Sequence, residues 1–413
     1  MEETKAKEIC VKRRASFSRA SEDMISELPE SLISQILSYL PTKEAVKTGV
    51  WSNRWKSLWL LIPGLDLDSS DFPCYKSFER FIDRFLDFTR KEKSCLHKLK
   101  LRIANYEDTQ PFLTRWIDFV ATGKLKHLDV QCLRVERECL EVMPLSLYIC
   151  ETLLYLRLHR VSIGSFECVS LPCVKTMRLE NNVYVNDACL ESLISSCPVL
   201  EDLSFLQSRS LDDNVKILRV HSQTLTSLSI EVDTCRVPGF DYENSGLIID
   251  APRLKHLDMK NHRYKNKTIS NPGSLTSVNI LGNFCWIDSA DEVNLRMLSN
   301  FFTSISGLRN MQISWQTFQG LRSCLMSRNM RLTTAPRCLL SSLESVEIKH
   351  SNSSGDVSVD FSVEVAMYFA ENSVILKKLV LRLGYSLRPE SSEVLRDLMA
   401  SMRRSSTCQI VVC

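Results

Sequence analysis

Residues Asn186–Phe205 read NDACLESLISSCPVLEDLSF, and they contain the whole plan of the chain. Leu190, Leu193 and Ile194 share one face at helical spacing, with Asn186 or Asp187 placed to cap the first turn. Cys197-Pro198 breaks that pattern. Leu200, Leu203 and Phe205 then follow as apolar-x-x-apolar-x-apolar, and the last two alternate like a half-buried strand. The same unit recurs along the chain, as Leu96/Leu99/Leu101, Leu125/Leu128/Val130, Leu153/Leu156/Leu158, Val174/Met177/Leu179, Leu225/Leu228/Ile230, Leu254/Leu257/Met259, Leu275/Val278/Ile280, Leu308/Met311/Ile313, Leu343/Val346/Ile348 and Leu376/Leu379/Leu381. The steps run from roughly 21 to 35 residues, overlapping and overrunning the range of leucine-rich repeats. One such unit cannot bury its apolar face alone. Stacked units can, so the expected fold is α/β: parallel strands alternating with helices in a solenoid.

The composition bounds the function. The chain has 413 residues, 44% hydrophobic and 24% charged, with a formal net charge of +3. That balance gives no reason to expect nucleic acid or an anionic membrane as a partner. The 16 cysteines include no C-x-x-C, so they read as reduced, mostly buried thiols rather than zinc ligands or a redox pair. The N-terminus has no apolar segment of a secretory signal, and no run is long enough for a membrane span. The expected location is therefore cytoplasmic, nuclear or both. Residues 1–22 are polar, with a short basic run at Lys12, Arg13 and Arg14, and read as a disordered tail. No G-x-S-x-G, H-E-x-x-H, P-loop or G-x-G-x-x-G occurs. The seven histidines are scattered, and His127 and His256 each sit in KHLD at exposed strand positions. No catalytic residue, metal ligand or cofactor is expected, and the chain is not read as an enzyme.

Residues Leu28–Trp59 follow a different rule. Leu32, Ile33, Ile36, Leu37 and Leu40 have helical spacing, bracketed by Leu28-Pro29 and Leu40-Pro41. Pro29 suits a first helical turn. Thr42 is expected to cap a second short helix, and Ser52 a third that carries Trp55 and Trp59. So short a segment cannot enclose all this apolar surface by itself. It either seals the end of the solenoid or offers a face to a partner.

The stretch DMISELPESLISQILSYLPTKEAVKTGVWSNRWKSLW (residues 23–59) resembles the F-box of plant F-box proteins, and LISSCPVLEDLSF resembles the linking signature of their leucine-rich repeats. CLLSSLESVEI, VAMYFAENSVILKKLVLRL and MRRSSTCQIVV resemble the C-terminal FBD segment. The resemblance implies a disordered tail at 1–22, an F-box at 23–62, leucine-rich repeats at 63–330 and an FBD segment at 331–413. The FBD segment is read as terminal repeats and a cap, with a helix at SSEVLRDLMASM (residues 391–402).

The family also implies a role. The F-box docks on a Skp-family adaptor and through it joins a cullin–RING ubiquitin ligase, while the repeats select a client protein. Leu28, Pro29, Leu32, Ile33, Ile36, Leu37, Leu40, Pro41, Val46, Val50, Trp55 and Trp59 match the family's apolar positions. Some are internal and some face the adaptor, and the sequence does not divide them. Trp51 departs from a more usual leucine and Gly49 from a common serine, changes expected to bear on adaptor affinity. Two other roles stay open: a small-molecule sensor with a ligand on the concave side, and an F-box scaffold without a part in ubiquitylation. In leucine-rich repeats, the residues flanking each triad's middle position line the concave face. Among these, Lys100, Tyr155, Arg157 and Arg178 are the expected contacts for an acidic or phosphorylated client segment.

Overall fold

The computed structural model describes residues 27–104, 112–133, 140–165, 168–207, 215–232, 245–260, 266–281, 305, 307–314, 340–349, 359–382 and 405–413. The expected tail at 1–22 and the expected helix at 391–402 lie outside them.

Among the described residues eighteen strands follow one another: β1 Gly64–Asp68, β2 Lys98–Ile103, β3 His127–Cys132, β4 Tyr155–His159, β5 Ser162–Ile163, β6 Thr176–Glu180, β7 Val183–Tyr184, β8 Asp202–Gln207, β9 Ile217–His221, β10 Ser227–Val232, β11 Gly246–Asp250, β12 His256–Lys260, β13 Asn266–Ser270, β14 Ser277–Leu281, β15 Asn310–Ser314, β16 Ser345–Lys349, β17 Lys378–Arg382 and β18 Gln409–Val412. Thirteen of them form one sheet in the order β1-β2-β3-β4-β6-β8-β10-β12-β14-β15-β16-β17-β18, and every pairing in it is parallel.

The register explains why the triads repeat. Leu99 pairs with Leu128, Leu128 with Leu156, Leu156 with Met177 and Met177 with Leu203. The middle positions of the later triads continue that row to Leu379. Every apolar position of all eleven triads is buried, in one continuous core. Each fully buried leucine contributes about 2 kcal/mol by transfer from water. The sheet extends one strand beyond the triads at each end. At β1, Ile62, Leu65 and Leu67 repeat the unit and are buried where the F-box segment ends. At β18, Ile410 and Val412 align with Leu379 and Leu381.

Among the described residues four longer helices back the sheet: α3 Tyr75–Lys91, α4 Phe112–Ala121, α5 Asp187–Ser195 and α6 Val359–Asn372. At α5 the Asn186 side chain caps the first turn, accepting from the Cys189 amide at 2.9 Å. The neighbouring Asp187 instead accepts from the amides of Lys216 and Ile217 at the start of β9. The expected alternation of strand and helix does not hold throughout. Between β8 and β14 the backing layer contains a second parallel sheet, β13-β11-β9. Leu218 and Val220, like Leu247 and Ile249, alternate inward and are buried. That period of two suits a strand and leaves no helical stripe. A further pair, β5 and β7, lies beside buried Asn182. The Asn182 amide donates to the Leu158 carbonyl at 2.9 Å, and its oxygen accepts from the Val161 amide at 3.1 Å.

Candidate functional sites: the F-box face and the open face of the sheet

Two short helices, α1 Glu30–Leu37 and α2 Thr42–Lys47, precede the sheet. They close over a small core of their own: Ile33, Leu37, Ala45, Trp55, Leu58 and Ile62, with Leu28 and Trp59 packed against it. Trp59 also packs on the solenoid core, so it belongs to both. Thr42 does not cap α2. Pro41 occupies the cap position and Thr42 the first helical turn, where its hydroxyl accepts from the Asp66 amide of β1 at 2.8 Å. Tying the segment to the sheet takes the place of capping. Nor does Ser52 cap an α-helix: Trp55 lies in a turn, and only a single 3-10 turn, Leu58–Leu61, follows. Trp55 and Trp59 are therefore placed by packing rather than by one helix face.

The structure divides the twelve apolar positions. Ile33, Leu37 and Trp55 are buried, and Leu28, Val46 and Trp59 half-buried. Pro29, Leu32, Ile36, Leu40, Pro41 and Val50 are exposed. On α1, Ile33 and Leu37 point inward four residues apart, while Leu32 and Ile36 form a parallel outward stripe, 45% and 47% exposed. Tyr39 (82% exposed) and Trp51 (68% exposed) add further outward-facing apolar surface to the segment. Tyr39 lies three residues beyond Ile36, a spacing legible in the sequence. Trp51 rests on buried Trp55, ring centroids 5.3 Å apart. A Cβ at Gly49 would stand 3.3 Å from the Lys56 Cα, so a serine there would press on the chain that carries these tryptophans. An exposed apolar face of this kind around an independent core marks an interaction surface.

The second site lies on the face of the large sheet opposite its core. Two side-chain rows run across the strands there. The first is Lys98, His127, Tyr155, Thr176 and Asp202, and the second is Asp66, Lys100, Asp129, Arg157, Arg178 and Ser204. The second row is largely neutralised from within. Arg157 forks onto Glu180, Nε to Oε1 at 3.0 Å and Nη2 to Oε2 at 2.8 Å, and lies 3.9 Å from Asp129. The hydrogen bond to Glu180 holds its guanidinium above the ordinary range. Lys100 pairs with Asp66 at 3.2 Å. Arg178 is exposed and makes no ion pair among the described residues. Tyr155 is half-buried, which pushes its phenol pKa up, and its ring centroid stands 6.0 Å from that of His127. Of the four expected client contacts, Tyr155 and Arg178 are thus available, while Lys100 and Arg157 already hold carboxylates. Among the described residues no group of three or more His, Cys, Asp or Glu is gathered to hold a metal, and no helix is long and apolar enough to cross a membrane.

An exposed apolar helical face joined to a parallel leucine-rich solenoid is the arrangement expected of an F-box repeat protein, and comparison with known proteins shows that class. The F-box domain family matches residues 25–63, the FBD family residues 332–381, and the family described as "FBD-associated F-box protein At5g56370, LRR repeats" residues 113–285. Putative FBD-associated F-box protein At5g22720 of Arabidopsis thaliana is 50% identical, covering 99% of this chain and 99% of its own length. FBD-associated F-box protein At5g22730 of the same plant is 48% identical over 97% of this chain and 96% of its own. Putative F-box/FBD/LRR-repeat protein At5g22610, also from Arabidopsis thaliana, is 47% identical over 100% of this chain and 93% of its own. The chain belongs to the plant family of FBD-associated F-box proteins with leucine-rich repeats.

Proposed function

We propose that this chain is the substrate-recognition subunit of a Skp–cullin–F-box ubiquitin ligase, binding the adaptor through the F-box and a client protein through the open face of the sheet. The observation that carries the reading is the outward apolar face of Leu32, Ile36, Leu40, Val50 and Trp51 around a separately packed core. A family-level F-box at residues 25–63 supports a Skp-type adaptor as its partner. In this reading the chain is a non-enzymatic receptor, and ubiquitin transfer belongs to other subunits. The client contact narrows to Tyr155 and Arg178, with Lys100 and Arg157 shaping the row. The units are a tail at 1–22, an F-box at 23–62, repeats at 63–330 and an FBD segment at 331–413. The location proposed is cytoplasmic, nuclear or both, and no disulfide joins the ten described cysteines.

The test is co-purification of a Skp-family adaptor with the wild-type chain and with Leu32→Asp/Ile36→Asp, whose side chains lie outside both cores. Loss of adaptor from a normally melting variant is the expected result. Full adaptor binding by that variant would remove the proposed docking face.

A further inference from the structure

Helix α3 buries one face, and the opposite face begins with charge of a single sign. Tyr75, Phe78, Ile82, Phe85, Leu86 and Thr89 are buried. On the far side Lys76, Arg80 and Arg84 follow at four-residue steps, and all three are exposed. At about 1.5 Å of rise per residue they form one stripe with charges about 6 Å apart. None of the three makes an ion pair among the described residues.

The arrangement does not serve the helix itself. Like charges four residues apart weaken a helix, and Lys76 stands in the first turn, where the macrodipole favours an anion. That turn holds no acidic residue. The carboxylates within reach are engaged elsewhere. Asp83, three residues beyond Arg80, accepts instead from Arg115 at 2.7 Å and from the Trp116 indole at 2.8 Å, both on α4. Asp87, three residues beyond Arg84, lies 3.5 Å from Arg90. The stripe is also one side chain wide. Asp83 borders it toward α4, and half-buried Phe81, stacked on Trp59, borders it toward the F-box.

We propose that Lys76, Arg80 and Arg84 dock an acidic helix of a protein partner, one that carries carboxylates at the same four-residue spacing. Two helices lying side by side keep such charges in step, since each rises about 6 Å every four residues. Arg80 and Arg84 each present a planar fork that a carboxylate can meet with two hydrogen bonds. A nucleic acid duplex or an anionic bilayer is wider than the stripe and would press negative charge onto Asp83 and Asp87 as well. The net charge of +3 supplies no general field to draw either of them. The stripe lies in the layer that backs the sheet, apart from both the open face and the outward face of Leu32 and Ile36. The proposal therefore goes beyond the receptor reading and does not rest on it.

The experiment uses the full chain and a fluorescent helical probe of alanine and glutamine with three glutamates at i, i+4 and i+8. An isomer carries the same three glutamates five residues apart, which scatters them around the helix. In about 0.05 M salt the aligned probe should bind about tenfold tighter than the isomer, the combined worth of three exposed ion pairs. Raising the salt to about 0.5 M should remove the difference. Lys76→Gln/Arg80→Gln/Arg84→Gln should lose the preference and melt no lower than wild type, because it removes two like-charge pairs. Arg80→Glu, a single exposed change at the centre of the stripe, should abolish the preference even if the triple variant is destabilised. Lys124→Gln, off the stripe, should keep it. Equal binding of the two probes would overturn the proposal, as would a preference that survives Arg80→Glu or the triple change. Tighter binding of duplex DNA or of phosphatidylserine vesicles than of the aligned probe, at equal charge, would overturn it too.

Discussion

Trp59 stacks on Phe81 of α3, with ring centroids 5.6 Å apart and planes inclined by 17°. A second stack on Phe85, at 6.0 Å, continues the contact. Through this indole the F-box core and the solenoid core become one packed body, helped by Thr42 on Asp66 and by the Lys43–Asp71 ion pair. Trp59→Ala should therefore cost about 3 kcal/mol, the low end for deleting a large aromatic ring because Trp59 is only half-buried. It should also uncouple the melting of the two parts. Calorimetry checks this, and a single transition at the wild-type temperature would show that the indole does not join them.

Ile33 and Leu32 are adjacent, but one is buried and the other 45% exposed. Ile33→Ala should destabilise the F-box by about 2–5 kcal/mol. Leu32→Ala should change stability by no more than about 0.5 kcal/mol. Its effect should instead appear in adaptor titration, as a weakening on the order of tenfold. Reversed outcomes would mean that the outward face has been assigned to the wrong stripe.

Leu203 and Ser204 offer the same comparison in the sheet. Leu203 is fully buried, while the Ser204 side chain lies on the open face. An aspartate at 203 buries an unpaired carboxylate, at a cost of several kcal/mol, and should leave the chain aggregated. Ser204→Asp should stay soluble and melt within a few degrees of wild type. Circular dichroism melting of the pair distinguishes core from surface.

Arg157 and Arg178 should separate in the same way. Removing the Arg157 fork leaves Asp129 and Glu180 half-buried without their cation, so Arg157→Ala should lose about 1–3 kcal/mol of stability. Arg178→Glu should leave the melt unchanged. Loss of client capture is thus interpretable for Arg178→Glu, whereas a variant that also replaces Arg157 mixes recognition with folding. An unchanged melt for Arg157→Ala would make its ion pairs surface ornaments.

Burial pushes the Cys132 and Cys197 thiols up to about 12. A raised thiol pKa means less thiolate at a given pH, and thiolate is the reactive form. At pH 8 iodoacetamide should label exposed Cys74, Cys95, Cys168 and Cys413 and spare Cys132 and Cys197 until the chain is denatured. Mass spectrometry of the alkylated peptides reads this directly. Labelling of Cys197 in the native protein at the rate of Cys95 would contradict its burial.

The sequence by itself determined the solenoid. Every triad position, from Leu96 to Leu381, is buried, because the alternation of a strand fixes which side chains share a face and a parallel register repeats it from strand to strand. It also located the F-box and the α5 helix, but left the cap open between Asn186 and Asp187, which the structure settles on Asn186. It did not divide Leu32 from Ile33, because a helix with two apolar stripes has no local reason to bury one rather than the other. Contact with Trp55, Leu58 and Ile62 makes that choice. The helices expected between β8 and β14 gave way to strands, since the period-two segments around Leu218 and Leu247 pack better as a second sheet. Ile62, Leu65 and Leu67 went unread because they stand where the F-box segment ends. The client row shows the limit most clearly. Lys100 and Arg178 look alike in sequence, but Asp66, 34 residues before Lys100, neutralises one and nothing described neutralises the other. Glu180 claims Arg157 across 23 residues. Such pairings form only when stacking brings adjacent repeats within reach, so tertiary structure alone decided which charges remain for a partner.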